Sequence, residues 1–596
     1  MKKAITFLGI ILVGGGLWVF SRGENRETAQ LQGNLLQLGE KIQTAQTDFT
    51  QWKEISAEAN NIPNFYPFSR LRNALEETGK LIEKIEKIQS SMDLLWKSPL
   101  PTEQVQQIFS ELKEIQNSLN IIETNIDSFP NLFLSEQQEL QKKILLRSLR
   151  LANQVFDDID TFERVFEEWT GDGERLLILL QNQNEPRSTG GFAGSMIVVD
   201  FGPEVISWEF FDTYALDRNI PPQAQLPAPE FFHDLSQTIS LRDANFWPDF
   251  TQSSEQYRHF FESIGKPIPN TIVALNLNVI EEFLKLTGPV KLEKWGVTLD
   301  KDNFDLVLQF LVEGKVTGRF DTKLPILLFA EKLFDPDHLQ SLSPQELLTF
   351  DMQSFIEEQN ILAHSHNKKL QKLFEKWGIS GQIWQKKEAD NFLYFDFVSV
   401  GANKSEKFLW TKLWHDSNIQ SDGTVINTIE ITRSHALRQG EIEQLLGFSS
   451  WPQNLRELMT EELAWKLGAG QNRTILRLFV PREAKLLEYE NPSGGLDVHM
   501  AENKSWRILN IPLFVAPGEK LTATVQYSTR IEEGSAAWRP YFLQLEGTPG
   551  RDEKTSFLST ISTPRNGTFR AETQNIGRPQ KLIDTDFRAV VEFDLK

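Results

Sequence analysis

The chain contains no cysteine in its 596 residues. Disulfides, thiolate nucleophiles and cysteine-ligated zinc are therefore excluded together. An excess of basic residues is also missing: 62 Lys and Arg stand against 82 Asp and Glu, for a formal net charge of -20. That balance argues against a general nucleic-acid binder, whose affinity rests on cations set against phosphates. HExxH, the G-x-S-x-G elbow, the GxxxxGK[ST] loop and the dinucleotide glycine fingerprint are all absent. The eight histidines form no obvious set. His364 and His366, read as part of a helix, would point roughly 200° apart and would not chelate together.

Long apolar runs are equally scarce, and only one occurs. Lys2 and Lys3 precede an uncharged stretch from Ala4 to Ser21 that Arg22 closes. At ~1.5 Å per helical residue it just spans a bilayer core of ~30 Å. The lysines place the N-terminus on the cytoplasmic side, against the weaker pull of Arg22 and Arg26. The expectation is a single-pass protein of the cytoplasmic membrane with an anchor over residues 1–24 and its bulk extracytoplasmic. A cleaved signal peptide, with Val19-Phe20-Ser21 as the cleavage site, and a buried core helix are the alternatives. The absence of a second such run excludes a polytopic protein.

What is present is ordinary globular material, 40% hydrophobic and 24% charged, in a chain long enough for about three or four domains of roughly 150 residues. Over residues 25–170 apolar residues recur at steps of three and four. Leu31 to Trp52, Leu71 to Leu95 and Val105 to Ile126 each form one seam, and a fourth helix falls near residues 138–169. Pro63, Pro67, Pro99, Pro101 and Pro130 break the pattern where turns belong, which predicts an antiparallel helical bundle. Residues 171–388 alternate strands (Arg175–Asn182, Ser195–Phe201, Glu204–Phe210, Thr271–Leu275) with helices over Lys301–Leu311, Leu324–Leu333 and Pro344–Ala363, an α/β domain. From 389 to 596 the period is two, clearest in Lys520–Ser528, which predicts a β-sandwich.

Three clusters in the central region could carry chemistry. Arg187 with Gly190 and Gly191 could present a guanidinium and backbone N–H groups to an anion, although a tight strand-to-strand turn demands the same glycines. Arg242, Asp243 and Asp249 surround aromatic residues in RDANFWPDF; the two carboxylates could hold a divalent cation and Arg242 could bind a phosphate, or the segment could be a capped charged loop whose aromatics pack on the core. Arg319 and Lys323 stand four apart, on one face of a helix, as a phosphate site or as a solvated face.

The stretches LLILLQNQNEPRSTGGFAGS (176–195), RDANFWPDF (242–250), IPNTIVALNLNVIEEFLKLTGPV (268–290) and SVGANKSEKFLW (399–410) resemble the bacterial "domain of unknown function 4012" family, in order and across roughly residues 170–560. That resemblance implies a membrane helix, a helical preface and a bacterial source, and no established activity. The run from Ile268 to Val290 also resembles the core of the LytR–CpsA–Psr glycopolymer transferases. In that family arginines hold a polyprenyl pyrophosphate and acidic residues hold magnesium. The resemblance implies anion-binding roles for Arg187 and Arg319 with Lys323 nearby, and Mg²⁺ as the cofactor. The early aspartate of that family is replaced here by Gln181-Asn182-Gln183, which leaves Asp243 or Asp249 as substitutes.

Two functions follow as expectations. One is a non-catalytic cell-envelope scaffold or assembly protein whose partners are the lipid bilayer and other envelope proteins. The other is a phosphotransferase or binder acting on a polyprenyl-linked glycopolymer. Neither involves nucleic acid.

Overall fold

The computed structural model describes residues 54–594 apart from internal stretches, the longest being 93–99, 339–357, 384–390, 501–505, 531–540, 548–554 and 563–568, and scattered positions, many of them between 135 and 157. The first helical seam, Leu31 to Trp52, lies outside the described residues, as does the anchor expected over residues 1–24.

Two long helices open the described chain, α1 (Phe68–Met92) and α2 (Thr102–Asp127). Leu71, Ala74, Leu81 and Ile88 on the first and Ile115, Leu119, Ile122 and Ile126 on the second are buried, as their spacing at three and four residues dictates. The pair is antiparallel. Ser118 donates to Glu77 at 2.6 Å, while Lys87, further along α1, meets Glu111, earlier in α2, at 3.2 Å. A third helix, α3 (Ile159–Asp172), stops at Gly173, whose left-handed φ of 72° lets its N–H cap the Trp169 carbonyl.

These helices carry charges around most of their circumference, and no helix among the described residues is long and apolar enough to cross a membrane. The expected single-pass transmembrane architecture, with its cytoplasmic-membrane localisation, is thus corrected: nothing in the described structure supports it.

The central sheet has six strands in the order β1 (Leu100–Pro101), β4 (Val205–Asp212), β3 (Gly190–Phe201), β2 (Arg175–Arg187), β5 (Thr271–Asn276) and β6 (Ile361–Ser365). All neighbours are antiparallel except β2 and β5. The unbroken apolar run in β2 reflects burial on both faces. Leu177 and Leu179 pack with Tyr257, Phe260 and Phe261 of α4 (Phe250–Ser263). Ile178 and Leu180 point the other way, toward α5 (Leu277–Thr287), α6 (Phe304–Glu313) and α7 (Leu324–Leu333). A further helix, α8 (Lys368–Trp377), follows β6. The helix expected through Ala363 is corrected at its end, because Ile361 to Ser365 pair with Thr271 to Leu275 as an edge strand.

Downstream lie two larger sheets. One has the order Asp497–Met500, Trp506–Val515, β10 (Asn472–Pro481), β7 (Asn391–Ser399), Tyr541–Gly547 and Phe569–Gln574. The other has the order Lys485–Glu490, Lys520–Arg530, β9 (Thr424–His435), β8 (Leu409–Ile419), Thr555–Ser562, Arg588–Asp594 and Arg578–Asp584. Their inward residues share one apolar cluster that includes Leu393, Phe397, Ile429, Leu476 and Val525. The expected C-terminal β-sandwich is nevertheless corrected. β7 and β8 each take a parallel partner from beyond residue 540. The segment between β9 and β10 is helical and packs Ile442, Phe448, Trp451 and Leu467 against α6 and α7. Period-two alternation identifies strands but not their partners. The whole is a mixed α/β structure of several sheets.

Candidate functional site

The outer face of β2, β3 and β5 and the helices α6 and α7 enclose a cavity of about 560 Å³, within the usual size range of ligand sites. Alternation along the strands builds its floor from Ile178, Leu180 and Ile197, and Leu308, Ile326 and Ala330 form part of its roof. The polar residues of its wall gather at one end, where Gln181, Asn182, Asn276, Asp305, Glu313, Lys323 and Lys404 reach it.

The charges at that end are matched almost completely. Glu185, 5% exposed, accepts from Lys404 at 2.7 Å and stands 3.6 Å from Arg187. Burial alone would raise its pKa, but Lys404 and then Arg187 outweigh that and hold it below the ordinary carboxylate value. Asp305 is kept low in the same way, burial being overcome by Lys407 at 2.7 Å, and it also accepts from Asn184 at 2.7 Å. Glu313 lies 3.7 Å from Lys404.

Lys323 differs from its neighbours. Its side chain is half-buried against the cavity, and among the described residues its amine meets no hydrogen-bond acceptor or ion-pair partner. Its pKa is lowered: desolvation, joined by the nearby Lys404, outweighs the opposing pull of Asp212, Glu313 and Glu185. It approaches the backbone at Gly194, where a Cβ would stand 3.4 Å from the Lys323 Nζ and more tightly, at 3.0 Å, against the Phe192 ring.

The other residues singled out in the sequence fall as follows. Arg187 is 1% exposed and donates to Asp243 at 2.9 Å and to the Ser399 carbonyl at 3.2 Å. The rings of Phe192 and Phe232 lie 5.3 and 5.6 Å from it. Asp243 and Glu185 outweigh burial and keep it charged. Gly190 and Gly191 belong to the β2–β3 hairpin, where Arg187 pairs with Gly190 across the turn at Ser188 and Thr189. Gly190 has φ 132°, and a Cβ there would sit 2.2 Å from the Asn276 side chain. Their backbone makes a tight turn against Asn276. Arg242 pairs with Asp217 at 2.7 Å and approaches Asp243 at 3.4 Å. Arg319 lies outside the described residues, and Lys323 immediately precedes α7.

Asp243 and Asp249 do not fit a magnesium site. Asp243 accepts twice from Arg187. Asp249 caps α4 through the Thr251 and Gln252 amides and accepts from the Ile383 amide at 3.2 Å. Where the transferase core has its aspartate, a neutral network stands instead. Gln181 donates to the Thr189 carbonyl at 2.9 Å and to Asn276 at 3.2 Å, and it accepts from Thr189 at 2.6 Å and Asn245 at 2.7 Å. These amides bond mainly to one another, only the Asn245 Oδ1 lacking a partner, and they offer a cation no anionic oxygen.

The sequence reading missed Glu185, Asp305, Lys404 and Lys407 as site residues. The last two lie within SVGANKSEKFLW, more than two hundred positions beyond β2, where only family resemblance could flag them.

Fold and site together define an α/β protein with an apolar cavity closed by a charged end. Residues 172–311, from the last residue of α3 into α6, match the family model described as Protein of unknown function (DUF4012), so the chain carries a domain of that family. No curated protein matches the chain.

Proposed function

We propose that this protein binds a lipid-linked phosphate of the polyprenyl type, with the hydrocarbon chain in the cavity and the phosphate against Lys323. The observation that carries this reading is the cavity's asymmetry: apolar walls run to an end where one ammonium group has no acceptor among the described residues. Asp212, Glu313 and Glu185 act on the Lys323 amine only through space and do not offset its desolvation; an anion in direct contact with it removes that cost. Burial of the chain adds the hydrophobic term, roughly 25 cal/mol for each Å² removed from water. The Tyr214 hydroxyl, which also lines the cavity, offers a hydrogen-bond donor to a remaining phosphate oxygen.

The reading is one of binding. The carboxylates at the charged end are already paired with Lys or Arg, so no transfer step is assigned to them. Equilibrium binding of a labelled polyprenyl monophosphate and of the parent polyprenol tests it. The phosphate should bind more tightly than the alcohol in the wild type, and Lys323→Met should erase that preference. Equal affinity for both in the wild type would refute the phosphate assignment. No binding of either would refute the reading as a whole.

A further inference from the structure

On the opposite face of the central sheet, Glu255, His364 and His366 bring their ligand atoms within 4.8 Å of one another. Because β6 is a strand, residues two apart share a face. The His366 amide bonds to the Asn270 carbonyl at 2.9 Å, continuing the ladder one step beyond Ser365 and preserving the alternation. His364 pairs across the ladder with Ile272, whose side chain packs under α4, so the imidazoles rise toward that helix. There the Glu255 carboxylate meets the His366 Nε2 at 2.8 Å, and the two imidazole rings stand 5.6 Å apart at 84°.

His364 is 8% exposed, yet its Nδ1 has no hydrogen-bond partner. Buried ring nitrogens are ordinarily satisfied, and an orphan calls for an explanation such as an ion. We infer that Glu255, His364 and His366 form a binding site for a divalent transition metal of the zinc class, with a fourth position open to water. Two imidazoles and a carboxylate are the donor types that such borderline ions take. Donor atoms around one tetrahedral zinc stand ~3.4 Å apart for bonds of ~2.1 Å, so separations that now reach up to 4.8 Å must close by as much as about 1.4 Å, and the 2.8 Å contact between Glu255 and His366 must open by about 0.6 Å. Glu255 and His366, 48% and 42% exposed, have the freedom to do so.

The groups facing the site are compatible with an ion. Arg258 stands 3.6 Å from the second Glu255 oxygen, but its guanidinium also donates to the Pro269 carbonyl and to Asn270. His259, on the same helix, bonds to the Ala224 carbonyl at 3.0 Å and takes no part. A bound ion would tie α4 to the edge strand and so raise thermal stability.

The test uses the full chain with any affinity tag removed. It is dialysed against Zn²⁺, its metal content is measured, and the visible spectrum is recorded after Co²⁺ loading. The wild type should retain one zinc per chain, give the intense absorption of a four-coordinate cobalt thiol-free site, and melt at a higher temperature with zinc. His364→Ala and His366→Ala should each weaken binding by about tenfold or more, while His259→Ala should leave it unchanged. Glu255→Gln, at an exposed position, keeps the test valid if a histidine variant misfolds, and it should lower affinity too. Absence of stoichiometric zinc in the wild type, or full retention in the folded Glu255→Gln and His364→Ala proteins, would overturn the assignment.

Discussion

The Arg187 guanidinium and the Asp243 carboxylate, 56 residues apart in the chain, meet at 2.9 Å with each residue only 1% exposed. The pair joins the end of β2 to the segment before α4. Through the Ser399 carbonyl, Arg187 also reaches the first strand of the downstream sheets. It is a structural clasp behind the cavity, which is why the anion site is assigned to Lys323 instead. Asp243→Ala leaves a buried guanidinium without its main counter-ion and should cost ~3–5 kcal/mol. Arg187→Met combined with Asp243→Leu should recover much of that loss. Urea denaturation of the single and double variants measures both.

Lys323→Met removes a desolvated cation that has no acceptor among the described residues. It should leave thermal stability unchanged or raise it, while weakening phosphate binding by roughly ten- to a hundredfold, the worth of a hydrogen bond to a charged group at ~1.5–3 kcal/mol. Thermal melts and equilibrium binding on the same sample separate the two effects.

Ala330 lines the cavity from α7. Ala330→Trp puts an indole into space meant for the hydrocarbon chain. Binding of the polyprenyl phosphate should fall by at least about tenfold, the order expected when about 1.4 kcal/mol or more of contact is lost. The far-ultraviolet circular dichroism should be unchanged.

His415 lies within β8, fully buried near Asn427 and Ser417, and burial depresses its pKa to about 4. In the unfolded chain it titrates near its ordinary value, about 6.5. Between those values the unfolded state binds the extra proton, so His415 favours folding above about pH 6.5 and loses that contribution as the pH falls toward 4. Denaturation midpoints should drop across this window by an amount worth a few kcal/mol. His415→Phe, which cannot titrate, should flatten that part of the profile.

Much of the local structure could be read from residue spacing. The period of two in Lys520–Ser528 matches the burial of Leu521, Ala523, Val525 and Tyr527, and the seams of α1 and α2 are their buried faces. The two clusters around Arg187 and Arg242 do lie together, since Asp243 touches both arginines. Other features depend on partners distant in sequence. Lys404 reaches Glu185 across 219 residues, and no periodicity encodes that pairing. His364 and His366 were hidden by assuming a helix where the chain forms an edge strand, which changes their separation from opposite sides to one face. The downstream strands were recognisable individually, but their parallel partners and the helical segment between β9 and β10 were not.

The most direct test is a crystal structure determined with a polyprenyl monophosphate present. The account predicts continuous density for the hydrocarbon between Ile178 and Ile197 on one side and Leu308 and Ala330 on the other, with the phosphate in contact with the Lys323 amine. A cavity left empty at saturating ligand, or a phosphate seated away from Lys323, would contradict it.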